Sequence, residues 1–316
     1  LMNNKKIIIG SGLTGPLLAI LLSKKGYSID IFEKRSDMRK KTISAGRSIN
    51  LALSHRGIEA LKAANIFDII KPQLLPMQGR MIHHQNGDIN FQPYSINSNE
   101  CIYSVSRLEL NKLLINVAEN SKNINIQFNS SLEKIIDNQL IFENGMKINT
   151  KGEIFGADGS GSKVRKYIDS MYTTPSYIEP LGHAYKELNI APSKEGEFQL
   201  DGNSLHIWPR EQFMLIALPN TDKSFTCTLF MPNAGKISFD SLNTLEKVLD
   251  FFRMNFNDLL PLLENFPQSY FNNPIGKLGT IYAKHWNYEN LCLIGDAAHA
   301  IVPFFGQGMN ASFEDC

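Results

Sequence analysis

Cysteine is scarce, with four residues in 316, at 101, 227, 292 and 316, and no C-x-x-C pair among them. That spacing offers neither a disulfide framework nor a structural zinc site, and it fits a reducing compartment. An excess of one charge is also lacking. Lys+Arg number 32 and Asp+Glu 31, a net charge of +1, which gives no basic field for nucleic acid or an anionic membrane. Long apolar runs are missing as well. The most apolar stretch near the N-terminus, residues 17–22, is far too short to span a bilayer, and no signal-peptide pattern precedes it. What the chain does have is 43% hydrophobic and 20% charged residues, which excludes disorder. At this length one large domain or two interleaved ones are expected, with a sizeable core. These absences leave a soluble, cytoplasmic, enzyme-sized protein.

Residues 5–9, Lys-Lys-Ile-Ile-Ile, form an apolar run closed by glycine, the pattern of a buried parallel strand. Residues 13–25 read as a helix that Gly26 ends, and 28–32 as a second strand closed by Glu33. The opening is therefore βαβ. Ser54 is placed to cap a helix through 61, and Ser106-Arg107-Leu108-Glu109 is a capping box opening a helix to about 119. Short strands are expected at 123–128, 132–136 and 139–142. From about 178 the character changes. Segments 205–208, 213–218 and 225–231 are strands separated by Pro, Asn and Asp, which predicts an antiparallel sheet. A helix over roughly 242–256 follows, and 291–295 returns to the glycine-closed strand type. The expected fold is α/β (α+β overall). A Rossmann-like domain from 1–75, 100–175 and 276–316 carries an inserted antiparallel-sheet domain from 76–99 and 176–275.

Gly10-Ser11-Gly12-Leu13-Thr14-Gly15 matches G-x-G-x-x-G between a predicted strand and a predicted helix. Gly10 permits the tight turn, Gly12 lets backbone approach a pyrophosphate, and Gly15 allows close helix–strand packing. The helix N-terminus supplies N–H donors and a favourable dipole. Glu33 stands where a carboxylate can accept from ribose hydroxyls. This motif alone leaves NAD and FAD open. The second motif, Gly156-Ala157-Asp158-Gly159-Ser160-Gly161-Ser162-Lys163-Val164-Arg165, ends a strand and begins a helix. The third is Gly295-Asp296-Ala297-Ala298-His299-Ala300, followed by Pro303 and Gly306-Gln307-Gly308. Asp296, just past a strand, is placed to bond a sugar-alcohol chain. The glycines before the final helix let its N–H groups approach a flavin ring and stabilise negative charge there.

In this order the three motifs resemble those of the flavoprotein aromatic hydroxylases, which use one FAD and no separate nicotinamide domain. Longer blocks narrow the likeness. Residues 46–57 (GRSINLALSHRG), 103–107 (YSVSR), 205–210 (LHIWPR), 224–232 (SFTCTLFMP) and 301–310 (IVPFFGQGMN) are similar to the kynurenine 3-monooxygenase family, and the likeness runs from about 5 to 316. The resemblance implies an FAD-dependent monooxygenase, with NADPH and O2 as co-substrates, acting in tryptophan catabolism toward NAD biosynthesis. The implied reaction hydroxylates L-kynurenine to 3-hydroxy-L-kynurenine through a flavin C4a-hydroperoxide.

The same resemblance implies where the ligands lie. FAD contacts fall on Gly10, Gly12, Leu13, Thr14 and Gly15, on Glu33, Lys34 and Arg35, and on Arg47 and Ala52. Further contacts fall on Arg107, Leu132 and Asp158, and on Gly295, Asp296, Gly308, Met309 and Asn310. Arg80, in Met77-Gln78-Gly79-Arg80, is implied to bind the substrate carboxylate with help from Tyr94, a task that suits a bidentate guanidinium and a phenol. Met214, Ile216 and Leu218 share one face of a period-two strand, as do Thr228 and Phe230 on the next. Leu205, Pro303 and Phe304 complete the apolar slot for the ring. No side chain is expected as a nucleophile or metal ligand; the protein holds the ring and excludes water. Trp208, His206 and His299 are read as core residues.

The chain stops at Phe313-Glu314-Asp315-Cys316, inside the last predicted helix, whereas family members continue with a helical region over the substrate site. The expectation is a piece of a longer protein, with further substrate contacts and any membrane anchor beyond this end. Two alternatives stand beside the main reading. One is a flavin hydroxylase for another acidic aromatic substrate, and the other is a non-catalytic FAD-binding fragment.

Overall fold

Residues 5–40, 50–97, 100–149 and 151–316 are described by the computed structural model, and their strands fall into four sheets. The first sheet has the order Asn287–Tyr288, Leu291–Leu293, Ile154–Gly156, Lys5–Ile9, Ser28–Phe32, Ile124–Gln127. Its neighbours run parallel except for the antiparallel edge pair Asn287–Tyr288 and Leu291–Leu293. Both faces are covered. On one, Ile8, Ile29 and Ile31 pack with Leu17 of helix Thr14–Lys24 and with Leu110 and Leu114 of helix Arg107–Glu119. On the other, Ile7, Ile9 and Phe32 meet Val164 and Ile168 of helix Lys163–Ser170, and Leu140 and Phe142 of the small sheet Leu132–Ile136, Gln139–Phe142, Lys147–Asn149. Burial on both sides is why Ile7-Ile8-Ile9 reads as an unbroken apolar run. Ser106 caps its helix as expected: its Oγ accepts from Glu109 N at 3.4 Å.

The largest sheet has seven strands, in the order Ile275–Tyr282, Tyr177–Ile190, Phe225–Pro232, Phe213–Pro219, Ser204–Arg210, Gly79–His83, Ile89–Pro93. All pairs are antiparallel except Ser204–Arg210 with Gly79–His83. Alternation divides its residues sharply. Trp208, Leu215, Ala217, Cys227, Leu229 and Met231 are all fully buried, under Val248, Phe251 and Phe252 of helix Leu245–Asn255. Their sequence neighbours form the opposite face, which belongs to the site.

Two boundaries differ from the sequence expectation. Strand Ile275–Tyr282 pairs with Tyr177–Ile190, so the sheet region runs through Tyr282 and does not end at 275. Leu75–Met77 pairs instead with Ile102–Ser106, beside Asn50–Leu53, in a three-stranded sheet of its own. The long strand Tyr177–Ile190 has no simple signature because its register shifts between Pro180 and Ala184, around Gly182 at φ +74°. Among the described residues, no helix is long and apolar enough to cross a membrane.

Candidate active site

The first motif makes a turn that only glycine can build. Gly10 has φ +107°, and a Cβ there would lie 2.3 Å from the Ala157 carbonyl oxygen. A Cβ on Gly15 would lie 2.0 Å from the Gly10 carbonyl oxygen. Gly12 differs, because a Cβ on it would meet nothing within 4 Å. Its open side is a cradle at the start of helix Thr14–Lys24, whose first turn has no acidic residue and, among the described residues, no side-chain cap. Those free N–H groups and the positive end of the dipole suit a phosphate.

The second motif meets the first here: a Cβ on Gly10 would also lie 3.0 Å from Asp158 Cα. Ser11 Oγ and Asp158 Oδ1 are buried without a hydrogen-bond partner among the described residues. Two orphaned polar atoms beside an open glycine fit the polar end of FAD. Asp158 Oδ2 accepts from Lys163 N at 2.7 Å, and burial pushes its carboxyl above the ordinary range despite that bond. Glu33 is 4% exposed and accepts from Ser11 N at 2.7 Å, Arg35 N at 2.9 Å and Arg35 Nε at 2.7 Å. Burial works to raise its pKa, but the Arg35 hydrogen bonds and charge outweigh it and hold Glu33 low. The carboxylate is thus an acceptor fixed against the glycine loop.

The third motif closes on the same place. Gly295, at φ +63°, leaves room for no side chain, since its Cβ would lie 2.9 Å from Thr14 Oγ1 and 3.1 Å from Ser312 Oγ. Asp296 is half-buried and begins helix Asp296–His299. Buried Arg165 ties the second motif to the third, donating to Ser160 O at 2.6 Å and Ala297 O at 2.7 Å. Asp315 Oδ2 accepts from Gly295 N at 2.9 Å and bonds His299 Nε2 at 2.6 Å. Asn310 is fully buried; its Nδ2 donates to Ala52 O at 2.9 Å and Gly306 O at 3.1 Å, while Oδ1 accepts from Ser54 N at 2.9 Å. With its side chain so engaged, Asn310 has only backbone to offer a cofactor. Met309 likewise packs its side chain into the core.

The substrate candidates gather on the face of the seven-stranded sheet opposite helix Leu245–Asn255, where Leu218, Thr228 and Phe230 are buried and Met214 and Ile216 half-buried. Arg80 stands in register with Leu205, Met214 with Phe230, and Ile216 with Thr228. Phe304, in the turn Pro303–Phe305, meets the Phe230 ring edge to face at 5.3 Å. At the other side the Arg80 guanidinium lies 4.9 Å from the Tyr94 ring centroid, within cation–π range. Burial raises the Tyr94 pKa although the Arg80 charge opposes it, so the phenol stays a donor. The arrangement is an apolar row with a cation at one end and an aromatic turn at the other.

Not every expected residue joins the site in the same way. Leu132 packs into the core with Phe32 and Phe142. Lys34 and Arg107 are exposed, and Arg107's charge acts on Glu187, whose carboxyl is raised by burial. Arg47 lies outside the described residues. His206 and Trp208 face the core side, where His83 stacks on Trp208 at 4.0 Å and bonds His206 at 2.9 Å. Burial pushes His206 down to about 4. His299, in contrast, belongs to the clamp on the third motif. Sequence reasoning missed Asp315, Glu187 and the bridging role of Arg165. Arg165 carried a signal in its place within the second motif, but Asp315 acts on residues 16 and 20 positions away and carried none.

The family model described as FAD binding domain matches residues 4–316. The chain is similar to the kynurenine 3-monooxygenase of Legionella pneumophila (strain Corby), 44% identical over 98% of this chain and 70% of that protein. It is similar to the enzyme of that name from Dictyostelium discoideum, 44% identical over 100% of this chain and 69% of that one. Among solved structures, 2-methyl-3-hydroxypyridine-5-carboxylic acid oxygenase superposes with a TM-score of 0.78 at 21% identity, over 99% of this chain and 80% of that chain. The last likeness concerns the fold alone.

Proposed function

Because the chain belongs to the kynurenine 3-monooxygenase family and is an FAD-dependent aromatic hydroxylase, we propose that it converts L-kynurenine to 3-hydroxy-L-kynurenine with NADPH and O2. The observation that carries the substrate reading is the Arg80–Tyr94 pair beside the apolar row Leu205, Met214, Ile216, Thr228 and Phe230. L-Kynurenine has a carboxylate at one end and an aryl ketone at the other. In our reading Arg80 takes the carboxylate as a fork, Tyr94 adds a donor, and the ring lies along the row toward Phe304.

When bound, FAD supplies the redox chemistry, accepting reducing equivalents from NADPH and activating O2 for transfer to the ring. The chain's own residues position and shield. Gly10, Gly12, Gly15 and the helix start at Thr14 would hold the pyrophosphate, Glu33 the ribose, and Asp158 and Asp296 the polar chain leading to the flavin. Met309 and Asn310 would present backbone N–H groups to the ring. Met214, Ile216, Leu218, Phe230 and Phe304 would exclude water from the reacting carbon. The FAD-binding part then comprises 1–77, 100–175 and 283–316, with the sheet region between as the substrate-binding part. Scattered cysteines and balanced charge favour a cytoplasmic setting.

The test is NADPH oxidation by the FAD-loaded protein with and without L-kynurenine, with products resolved by mass. Stimulated oxidation yielding 3-hydroxykynurenine is the expected result. Stimulation by a different acidic aromatic compound, with none by kynurenine, would replace the substrate assignment.

A further inference from the structure

Asn50 begins the strand Asn50–Leu53 and is 8% exposed. Its Nδ2 faces three acceptors: Asn220 Oδ1 at 2.6 Å, Pro219 O at 3.1 Å and Ser104 Oγ at 3.2 Å. A carbonyl oxygen can only accept, so Pro219 O fixes the orientation of this amide. Asn220 passes the connection on, its Nδ2 donating to Ser224 Oγ at 2.8 Å and Thr226 Oγ1 at 3.2 Å. Thr226 stands in register with Leu218, and Pro219 ends the strand that carries Met214, Ile216 and Leu218. Two residues beyond Asn50, the Ala52 carbonyl is held by Asn310 of the final helix. One path of side-chain amides, buried at Asn50 and Asn310 and half-buried at Asn220, therefore runs from the apolar row to the helix placed at the flavin.

A cavity of about 380 Å³ opens beside the bridge, lined by Asn50, Gln73, Ser104, Pro219 and Asn220 among others. The hydrogen bonds of Asn50 and Asn220 cross the junction beside this cavity.

We propose that Asn50 and Asn220 are positioning residues, and that their amide bridge sets the spacing between the ring-binding row and the flavin helix. The inference rests on the substrate and cofactor reading given above. Neither side chain touches the reacting atoms. Their effect falls on the fraction of NADPH oxidation that ends in hydroxylated product, because a displacement of about 1 Å at the ring can cost roughly 100-fold in productive geometry.

The test compares Asn50→Ala, Asn50→Asp, Asn220→Ala and Asn220→Asp in the FAD-loaded protein. Asn50→Asp sets a carboxylate against Pro219 O and Asn220 Oδ1 and removes the donor. Asn220→Asp keeps the acceptor that Asn50 needs, with the Thr226 hydroxyl able to reverse and donate. The expected result is a fall of roughly three- to tenfold in 3-hydroxykynurenine formed per NADPH in both Asn50 variants and in Asn220→Ala. Hydrogen peroxide makes up the difference, FAD content is kept, and Asn220→Asp stays near the wild type. A second readout needs no turnover. Amide hydrogen exchange at residues 51–52 and 214–218 should quicken by about tenfold in Asn220→Ala, a turn substitution that guards against misfolding at Asn50. Wild-type product ratios in both Asn50 variants, or exchange that quickens on one side only, would overturn the proposal. A wild type that makes no 3-hydroxykynurenine would count against the substrate reading instead, and the exchange pattern would then judge the bridge.

Discussion

Arg80→Ala is the substitution whose consequence follows most directly from the site. The guanidinium lies 4.9 Å from the Tyr94 ring centroid, so the pair is assembled before any ligand arrives and little ordering remains to be done on binding. Arg80 itself is exposed, while Tyr94 is half-buried. An exposed cation gains less from a carboxylate than a desolvated one, which places the loss at the lower end for a truncated charge pair, about 2–3 kcal/mol. At 1.4 kcal/mol per tenfold, kynurenine should bind roughly 30- to 150-fold more weakly. Tyr94→Phe keeps the ring beside the guanidinium and loses only the hydroxyl, worth about 1 kcal/mol or roughly fivefold. Arg80→Lys keeps the charge without the fork and should fall between the two. Titration of L-kynurenine followed by flavin absorbance measures all three, and FAD content should be equal throughout. Wild-type affinity in Arg80→Ala would refute the carboxylate role.

Three further predictions concern the cofactor. Gly12→Ala should fold with a wild-type Tm but bind FAD poorly, because its Cβ enters open space, whereas Gly15→Ala should lower Tm, because its Cβ would lie 2.0 Å from the Gly10 carbonyl oxygen. Equal Tm values for the two would contradict this division. Asp296→Ala should lower FAD occupancy in the purified protein, and a fully loaded variant with normal flavin affinity would remove the proposed polar-chain contact. His299 is raised by its hydrogen bond to Asp315, with burial opposing. A raised folded pKa means that its contribution to stability is complete below the unfolded value, near about 6.5, and fades as pH climbs through the folded value. The Tm advantage of wild type over Asp315→Asn should therefore shrink with rising pH, and a constant difference would exclude the ion pair as its source.

The parts of this fold that a sequence shows are those where one local period governs. Residues 5–9 are covered on both faces and read as an apolar run, 28–32 as a second strand before Glu33, and Ser106 announces a helix start. The alternation of 213–218 also correctly separates Met214, Ile216 and Leu218 from the core residues Leu215 and Ala217. Tyr177–Ile190 was illegible because a register shift breaks its period midway. The Asp315 clamp and the Asn50–Asn220 bridge were illegible for another reason. Each is a contact between residues whose identities carry no pattern of their own, and the 170 positions between Asn50 and Asn220 hide the meeting from any local window. Glycine motifs stand out because their steric demand is local even when the group that enforces it, such as Ala157 against Gly10, is far along the chain.

The two-sidedness of the seven-stranded sheet bears on how such an enzyme can change. Odd and even positions of one strand stand in different physical surroundings. Leu215, Ala217 and Cys227 are locked beneath a helix, and substitutions there are judged by stability. Met214 and Ile216, one residue away, are only half-buried. Substitutions at those positions alter the shape and polarity of the wall while leaving the fold's main apolar cluster untouched. A library confined to alternate residues could therefore explore new ring substituents without first having to restore folding.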